Sequence, residues 1–491
     1  MPSFEETLRF MESRTVLALL LAVVVVIGIM NAWPHVAEPI WQDEAATLSF
    51  HSQRGILGPF LAYHSPNNHV AFSSMLAAWI KIFPQGIDVV TLRLLPTILS
   101  VGAIPVMFFA ARAIGGTACA ALATTLFASS TIFGNFATQL RGYGPSWLFI
   151  SLLLLCALHF FDSSKKWFWR AGYIAATFVS VAILPTNFFF AFVVSVCVAI
   201  YLSLNHKNRG PHALAGFVIL LAASPVCLVL AYSAIWSELV SYSAVGFSAW
   251  TRAALLENWL HASLSDFRWL APLVGAGLLV GAGRRLTGRW QADETGSREF
   301  VLVCALAAGF VASIYAMPKV PFPRTLTPFL PVWFCALSFL TLYGLRSLKL
   351  RTNRVWFASG LLIFALPIVA AAPAKACKAD TGSGGATDYD LCYQYFRDAY
   401  HPVQVVDVWA QFRRDDLPIV TSFEGYHAIR ILGSKAKVFE YRHYPESGTI
   451  PMLVAHDRAE LDQMTETLGL ANEGYELIAD TGYFKVYVPQ R

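Results

Sequence analysis

The sequence predicts an α-helical polytopic membrane protein with a small water-soluble α/β domain at its C-terminal end. Three observations carry this expectation. The 491-residue chain is 56% hydrophobic and only 14% charged, with a mean hydropathy of +0.53, and a water-covered surface needs a larger charged fraction. Apolar runs of about 18 residues or more recur up to about residue 373, each long enough to cross a bilayer as a helix. From residue 374 onward the composition changes: this tail holds 12 Lys and Arg against 17 Asp and Glu. The apolar runs are continuous rather than alternating, which argues against a membrane β-barrel.

The first run, "TVLALLLAVVVVIGIM", precedes Trp33-Pro34 rather than a small-residue cleavage site, so it reads as a retained anchor. Spans are expected at about 15–32, 93–111, 117–135, 145–161, 171–185, 187–204, 214–234, 269–283, 300–316, 325–345 and 355–373, eleven in all. The stretch 171–204 is too long for one span, and "LPTN" (184–187) offers the turn that divides it.

Positive charge orients this layout. With the N-terminus in the cytoplasm, inner segments hold 16 Lys and Arg, among them "KKWFWR" (165–170), "GRRLTGRW" (283–290) and "RSLKLRTNR" (346–354). Outer segments before residue 374 hold 8: Arg54, Lys81, Arg93, Arg141, Arg252, Arg268, Lys319 and Arg324. The formal charge of +5 is thereby a matter of topology and requires no nucleic-acid partner. A bacterial inner membrane is the expected location, with the C-terminal domain on the periplasmic side. Six cysteines fall within spans as small apolar residues. Cys377 and Cys392 bracket a Gly-rich loop on the outer side, where they are expected to form a disulfide; two free thiols are the alternative.

The chain therefore divides into a membrane domain, 1–373, and a soluble domain, 374–491. In the latter, "LPIVTS", "AKVFEY", "PMLVAHD" and "GYFKVYVP" read as strands, and "PVQVVDVWAQFRR" and "DRAELDQMTETLGL" as helices. That alternation predicts an α/β domain.

Candidate chemistry gathers on the outer loops 33–92 and 235–268. The first contains "EPIWQDEAATLSF" (38–50), with the adjacent acids Asp43 and Glu44, and "AYHSPNNHVAFSSMLAAWIKIFP" (62–84), an amphipathic interfacial helix with His64, Asn68 and His69 at its start. The second offers Trp250, Trp259, His261 and Asp266 as sugar contacts. Two shorter outer turns, "QLRGYGP" (139–145) and "MPKVPFPR" (317–324), supply cations. A carboxylate can accept a proton from an attacking hydroxyl. Cations can stabilise a departing phosphate. Ion conduction fits less well, because few ionisable residues lie deep in the spans. Each residue also has a simpler reading. Asp43 suits a helix N-cap, as do Asn68 and His69. Arg141 suits an anchor snorkelling to headgroups, and Arg93 a structural role.

These segments, in their order and spacing, resemble the GT-C class of integral-membrane glycosyltransferases, close to its protein-mannosyltransferase and aminoarabinose-transferase-like branch. The resemblance rests on "WQDEAATLSF", "NNHVAFSSML", "RLLPTILSVGAIPVMFFAARAIGG" (93–116), "QLRGYGPSWLFISLLLL" (139–155) and "PFPRTLTPFLPVWF" (321–334). Two departures stand out: "HSPNNHV" replaces a His-Pro-Pro-like motif, so His64 or His69 is the counterpart, and Arg324-Thr325 replaces an Arg-Tyr pair.

The resemblance implies an inverting transferase that moves a sugar from a polyprenyl-phosphate carrier to a lipid, glycan or protein acceptor at the outer face. It implies Asp43 as general base or as ligand of a divalent cation (Mg or Mn), with Glu44 orienting the acceptor or the metal. It further implies Arg141, beside Tyr143, and Lys319 or Arg324 on the carrier phosphate, with Asn68 and His69 or His64 touching substrate. The alternatives are a lipid-linked-glycan flippase, which would want a polar path and repeat symmetry, and a silent assembly subunit of a glycan pathway.

Overall fold

The computed structural model describes residues 12–37, 44, 47–48, 52, 55–63, 68–83, 89–161, 166–205, 211–244, 251–286, 297–318, 320, 323–347, 419–421, 438–440, 451–455, 458–470, 475–480 and 485–489. The chain divides into two compact units. The first comprises Met1–Pro34, Pro96–Lys375 and Gly385–Leu391; the second comprises His35–Leu95, Ala376–Gly384 and Cys392–Arg491.

The helices, in chain order, are α1 (Arg14–Ala32), α2 (Val70–Lys81), α3 (Val89–Ser129), α4 (Thr131–Ala137), α5 (Tyr143–Leu158), α6 (Lys166–Ile183) and α7 (Asn187–Asn205). They continue with α8 (Pro211–Tyr232), α9 (Trp236–Ala244), α10 (Arg252–Leu264), α11 (Ala271–Leu286), α12 (Ser297–Ala316), α13 (Leu330–Ser347) and α14 (Arg458–Leu468). Among the described residues six segments are long and apolar enough to cross a membrane: Arg14–His35, Val89–Ser129, Asn187–Leu204, Leu214–Val240, Arg298–Ala316 and Pro323–Leu345. The predicted span 355–373 lies outside the described residues.

Burial ranks these spans. Arg14–His35 is 28% buried and Pro323–Leu345 is 89% buried, so the last runs through protein and the first borders lipid. Exposed Leu19, Val26, Ile29 and Met30 on α1, and Val218, Val226, Val229 and Leu230 on α8, form apolar surface suited to acyl chains.

Two breaks follow from local chemistry. α3 is interrupted at Gly116, whose φ of 78° is a left-handed value that glycine adopts without strain. Beyond it the Thr117 N–H, which the break leaves without a helical partner, donates to Glu12 Oε1 at 3.0 Å. Arg112 meets the other oxygen of the same carboxylate at 2.8 Å. Burial works to raise the Glu12 pKa, but the Thr117 amide and the Arg112 guanidinium outweigh it and hold the carboxyl below its ordinary range. The second break falls between Ile183 and Asn187, where "LPTN" parts α6 from α7. There the Asn187 amide donates to the Ser180 carbonyl and to Ser146 Oγ, both at 2.9 Å, which binds the turn to α5.

Polar bonds tie the remaining helices of the first unit. Asn31 on α1 donates to the carbonyls of Ala128 and Ser130 at 3.0 and 2.9 Å. The Tyr173 hydroxyl bonds Ser195 Oγ at 2.6 Å and donates to the Leu220 carbonyl at 2.7 Å, joining α6, α7 and α8. α11 crosses α13 backbone to backbone, because Gly277 and Gly344 face one another there. A Cβ at Gly277 would collide with the Leu340 carbonyl, whereas one at Gly275, two residues earlier, would meet nothing within 4 Å. Gly277→Ala is therefore expected to cost about 1–3 kcal/mol of stability, read as a lower thermal midpoint in detergent. Gly275→Ala should leave the midpoint unchanged or slightly raised.

In the second unit a five-stranded sheet has the order β2-β1-β3-β5-β4, with β1 at Ile419–Thr421, β2 at Val438–Glu440, β3 at Met452–Ala455, β4 at Tyr475–Asp480 and β5 at Lys485–Pro489. The strands β2, β1 and β3 are parallel; β3–β5 and β5–β4 are antiparallel. Leu461 and Met464 of α14 pack with Val420, Leu453, Ala455 and Tyr487 into its core. Four of these strands lie where the sequence predicts them, and β4 was not foreseen. The predicted helix "PVQVVDVWAQFRR" and the pair Cys377 and Cys392 lie outside the described residues.

Candidate functional site

The acid motif after the first span provides one buried charge whose role is visible. Glu44 and Arg93, in the first turns of α3, meet at 2.8 Å with both side chains fully excluded from solvent. A buried carboxylate is costly unless paired, and this pair meets that requirement directly. Glu44 is thus engaged by a cation of its own unit, and Arg93 has the structural role expected of it. Asp43 lies outside the described residues, as does His64.

Helix α2 begins where the sequence predicts it, but not with the predicted caps. His69 occupies the N-cap position and makes no side-chain cap bond; its carbonyl accepts from the Ser73 N–H at 2.8 Å. The Asn68 amide instead donates to the carbonyls of Pro59 and Ala62 at 3.0 and 3.2 Å, bracing the single turn Gly58–Leu61. Neither side chain caps α2. Both are buried, and Asn68 Oδ1 has no hydrogen-bond partner. A buried amide oxygen left so is an acceptor for a hydroxyl or ammonium donor.

In the first unit the turn between α4 and α5 presents Arg141. The side chain is buried, so the snorkelling-anchor reading does not hold: a snorkelling arginine keeps its head in water. Its guanidinium donates to the Tyr143 hydroxyl at 3.3 Å and stands 5.3 Å from that ring's centre. The Arg141 N–H closes the turn on the Gln139 carbonyl at 2.6 Å. Gly144 allows this tight entry into α5: an added Cβ would strike Ser100 Oγ and lie 2.7 Å from the Phe136 carbonyl. Gln139 sits beside Arg141 with Oε1 buried and without a partner.

One and a half turns further along α5, Trp147 Nε1–H donates to the Thr327 carbonyl at 2.8 Å. Thr327 Oγ1 in turn donates to the Arg324 carbonyl at 2.8 Å, inside the 3-10 turn Pro323–Phe329. The Arg141 turn and the Arg324 turn are therefore braced on one another through Trp147. Arg324 is half-buried. Lys319, the other cation of its segment, lies outside the described residues.

Of the sugar-contact candidates of loop 235–268, Trp259 and Asp266 have visible partners within the fold. Trp259 is fully buried, with its ring centre 4.4 Å from Phe310 and 5.1 Å from Trp333. Asp266 accepts from the N–H and hydroxyl of Thr131 at 2.8 and 3.1 Å, which fastens its turn to the start of α4. His261 is exposed, and Trp250 lies outside the described residues. Among the described residues no group of three or more His, Cys, Asp or Glu could hold a metal ion. Glu44, the acid next to Asp43, is bound to Arg93.

Sequence reasoning missed Gln139, Trp147 and the Asn68 brace. Their significance comes from partners across the fold; Trp147 and Thr327, for example, are 180 residues apart.

No family model matches this chain, and no curated protein matches it. Solved structures do match. ArnT from Cupriavidus metallidurans in the apo state is 12% identical, with 96% of this chain and 97% of that one aligned at a TM-score of 0.59. The same protein bound to undecaprenyl phosphate aligns over the same shares at 12% identity and a TM-score of 0.58. The Archaeoglobus fulgidus oligosaccharyltransferase tethered to an acceptor peptide reaches 0.49 at 14% identity, over 98% of this chain and 75% of that one. The alignment to ArnT shows that the two chains share a fold, an α-helical body with a small sheet toward the C-terminus.

Proposed function

We propose that this chain, built on the GT-C architecture, is a glycosyltransferase that takes its sugar from a polyprenyl-phosphate carrier. The observation that carries this reading is the near-complete alignment to a solved structure that holds undecaprenyl phosphate. In the reaction, Asp43 removes the proton from an acceptor hydroxyl, and the acceptor oxygen attacks the anomeric carbon from the face opposite the phosphate. The new carbon–oxygen bond forms as the bond to phosphate breaks. The electron pair leaves with the polyprenyl phosphate, and the configuration inverts. Arg141 and either Lys319 or Arg324 stabilise the negative charge growing on that phosphate. Buried Arg141 suits this task, because a guanidinium shielded from water interacts more strongly with an anion than an exposed one. The donor of Asn68 is spent on its brace, which leaves its free amide oxygen to accept from a substrate hydroxyl. No step is assigned to a divalent cation.

The location belonging to this reading is a bacterial inner membrane, and the charge bias favours the N-terminus in the cytoplasm and the reaction on the outer face. The test incubates purified protein in detergent with a panel of labelled polyprenyl-phosphate sugars, with and without Mg or Mn. Native protein should transfer or hydrolyse at least one donor, and Arg141→Gln should lower kcat/KM by about 10²–10³. A native protein that consumes no donor, yet still binds undecaprenyl phosphate, would replace this reading with a carrier flippase or a silent subunit.

A further inference from the structure

α5 runs from the Arg141 turn to a second cationic site at its far end, about 24 Å away by the rise of its 16 residues. Past its last residue, Leu158, come His159, Phe160 and Phe161, and the chain re-enters as α6 with Trp167, Phe168, Trp169 and Arg170. The guanidinium carbon of Arg170 lies 5.3 Å from the ring centre of Phe160, 6.0 Å from Phe161 and 5.8 Å from Trp167. Trp169 stacks on His159 at 4.8 Å. Arg170 Nε and Trp169 Nε1 are both buried, and neither has a hydrogen-bond partner.

The first turn of α6 carries no acid, and the positive end of the helix dipole disfavours a further positive charge there. Lys166 opens the same helix. Among the described residues the ion pairs involve other arginines, and Arg170 is surrounded by rings. Arg170 Nε and Trp169 Nε1, on adjacent residues, are two buried donors without an acceptor, and an anion with several acceptor oxygens would supply one to each. Trp167 and Phe168 indicate where that anion resides. They are 74% and 67% exposed, and large exposed aromatic side chains at the end of a span settle at the headgroup boundary of a bilayer.

We propose that Arg170 and Trp169 form a binding site for the headgroup phosphate of an anionic phospholipid, with Trp167 and Phe168 inserted beside its acyl chains. The site lies at the end of α5 opposite the Arg141 turn and takes no part in sugar transfer. Arg170 supplies the charge and Nε–H, and Trp169 supplies the indole N–H. The surrounding rings keep water from competing for either. A free phosphate ester has the same headgroup chemistry, and the lipid is favoured by the exposed Trp167 and Phe168.

Native mass spectrometry of the full chain in detergent, titrated with phosphatidylglycerol, phosphatidylcholine or glycerol 3-phosphate, tests this. Phosphatidylglycerol should bind more tightly than phosphatidylcholine, and Arg170→Gln should weaken it about tenfold. Trp169→Phe keeps the stack on His159 and removes only the N–H, so it should weaken binding about threefold even if Arg170→Gln does not fold. Binding unchanged within about twofold in Trp169→Phe, or equal binding of the two lipids, would overturn the site. Displacement of the lipid by equimolar glycerol 3-phosphate would show a soluble phosphate ester as the ligand and overturn the lipid assignment.

Discussion

Arg93→Met is expected to destabilise the protein by about 3–5 kcal/mol, a large share of the roughly 5–15 kcal/mol that keeps an ordinary domain folded. Arg93 and Glu44 are both fully buried and 2.8 Å apart. Removing the cation strands a carboxylate in a medium that cannot solvate it, and the charge must be neutralised or the loop opened to water. Glu44→Gln should fail in the same direction, since it strands the guanidinium instead. The double variant Glu44→Met/Arg93→Met should recover much of the loss, because a pair of apolar side chains carries no desolvation penalty. Thermal or denaturant unfolding in detergent around this cycle gives the coupling directly. Single variants that each lose less than about 1 kcal/mol would show that water reaches the pair. The exposed pair Arg458–Asp462, at 3.3 Å on α14, is a useful contrast, with an expected effect of about 0.5 kcal/mol or less.

Asp43→Asn is expected to behave in the opposite way, with folding retained and transfer lowered by about 10²–10⁴-fold. The amide has nearly the shape of the acid but cannot take a proton from the acceptor. Its loss should therefore appear in kcat, with carrier binding and the thermal midpoint near native values. Assay of both variants with the cognate donor separates the two adjacent acids by failure mode: Glu44→Gln loses protein, and Asp43→Asn loses turnover. An Asp43→Asn protein with full activity would remove Asp43 from the mechanism. An inactive one that is also unfolded would make Asp43 a structural acid like its neighbour.

The fold was legible where it depends on local pattern. Apolar runs marked α1, α7, α8 and α12, "LPTN" marked the break before Asn187, and β-rich runs marked β1, β2, β3 and β5. β4 escaped although it is the longest strand, because "YELIAD" lies at the sheet edge, where Leu477 is 47% exposed and Glu476 is exposed beside it, so its apolar pattern is weak. The site was less legible, because depth and pairing depend on residues distant in sequence. Arg93, Arg141 and Arg324 read alike as outer cations. The fold buries the first against Glu44, the second beside Tyr143, and leaves the third half-exposed. Asn68 and His69 showed the right chemistry for caps, but the backbone turn Gly58–Leu61 claims the asparagine amide. No local pattern reveals a partner on another segment.

The clasp of Glu12 on Arg112 and Thr117 also constrains how the molecule is made. Its partners are 100 and 105 residues beyond Glu12, and those of Asn31 are 97 and 99 beyond. At about 5–20 residues per second, synthesis leaves α1 without these partners for roughly 5–20 seconds. During that interval the first span must persist in the bilayer on hydrophobicity alone, with the Asn31 amide satisfied by its own backbone or by interfacial water. The very high hydropathy of α1, 2.7 against 1.6 for Pro323–Leu345, fits a helix that enters first and waits. Pro323–Leu345, largely buried by its neighbours, arrives when its protein partners are already in place.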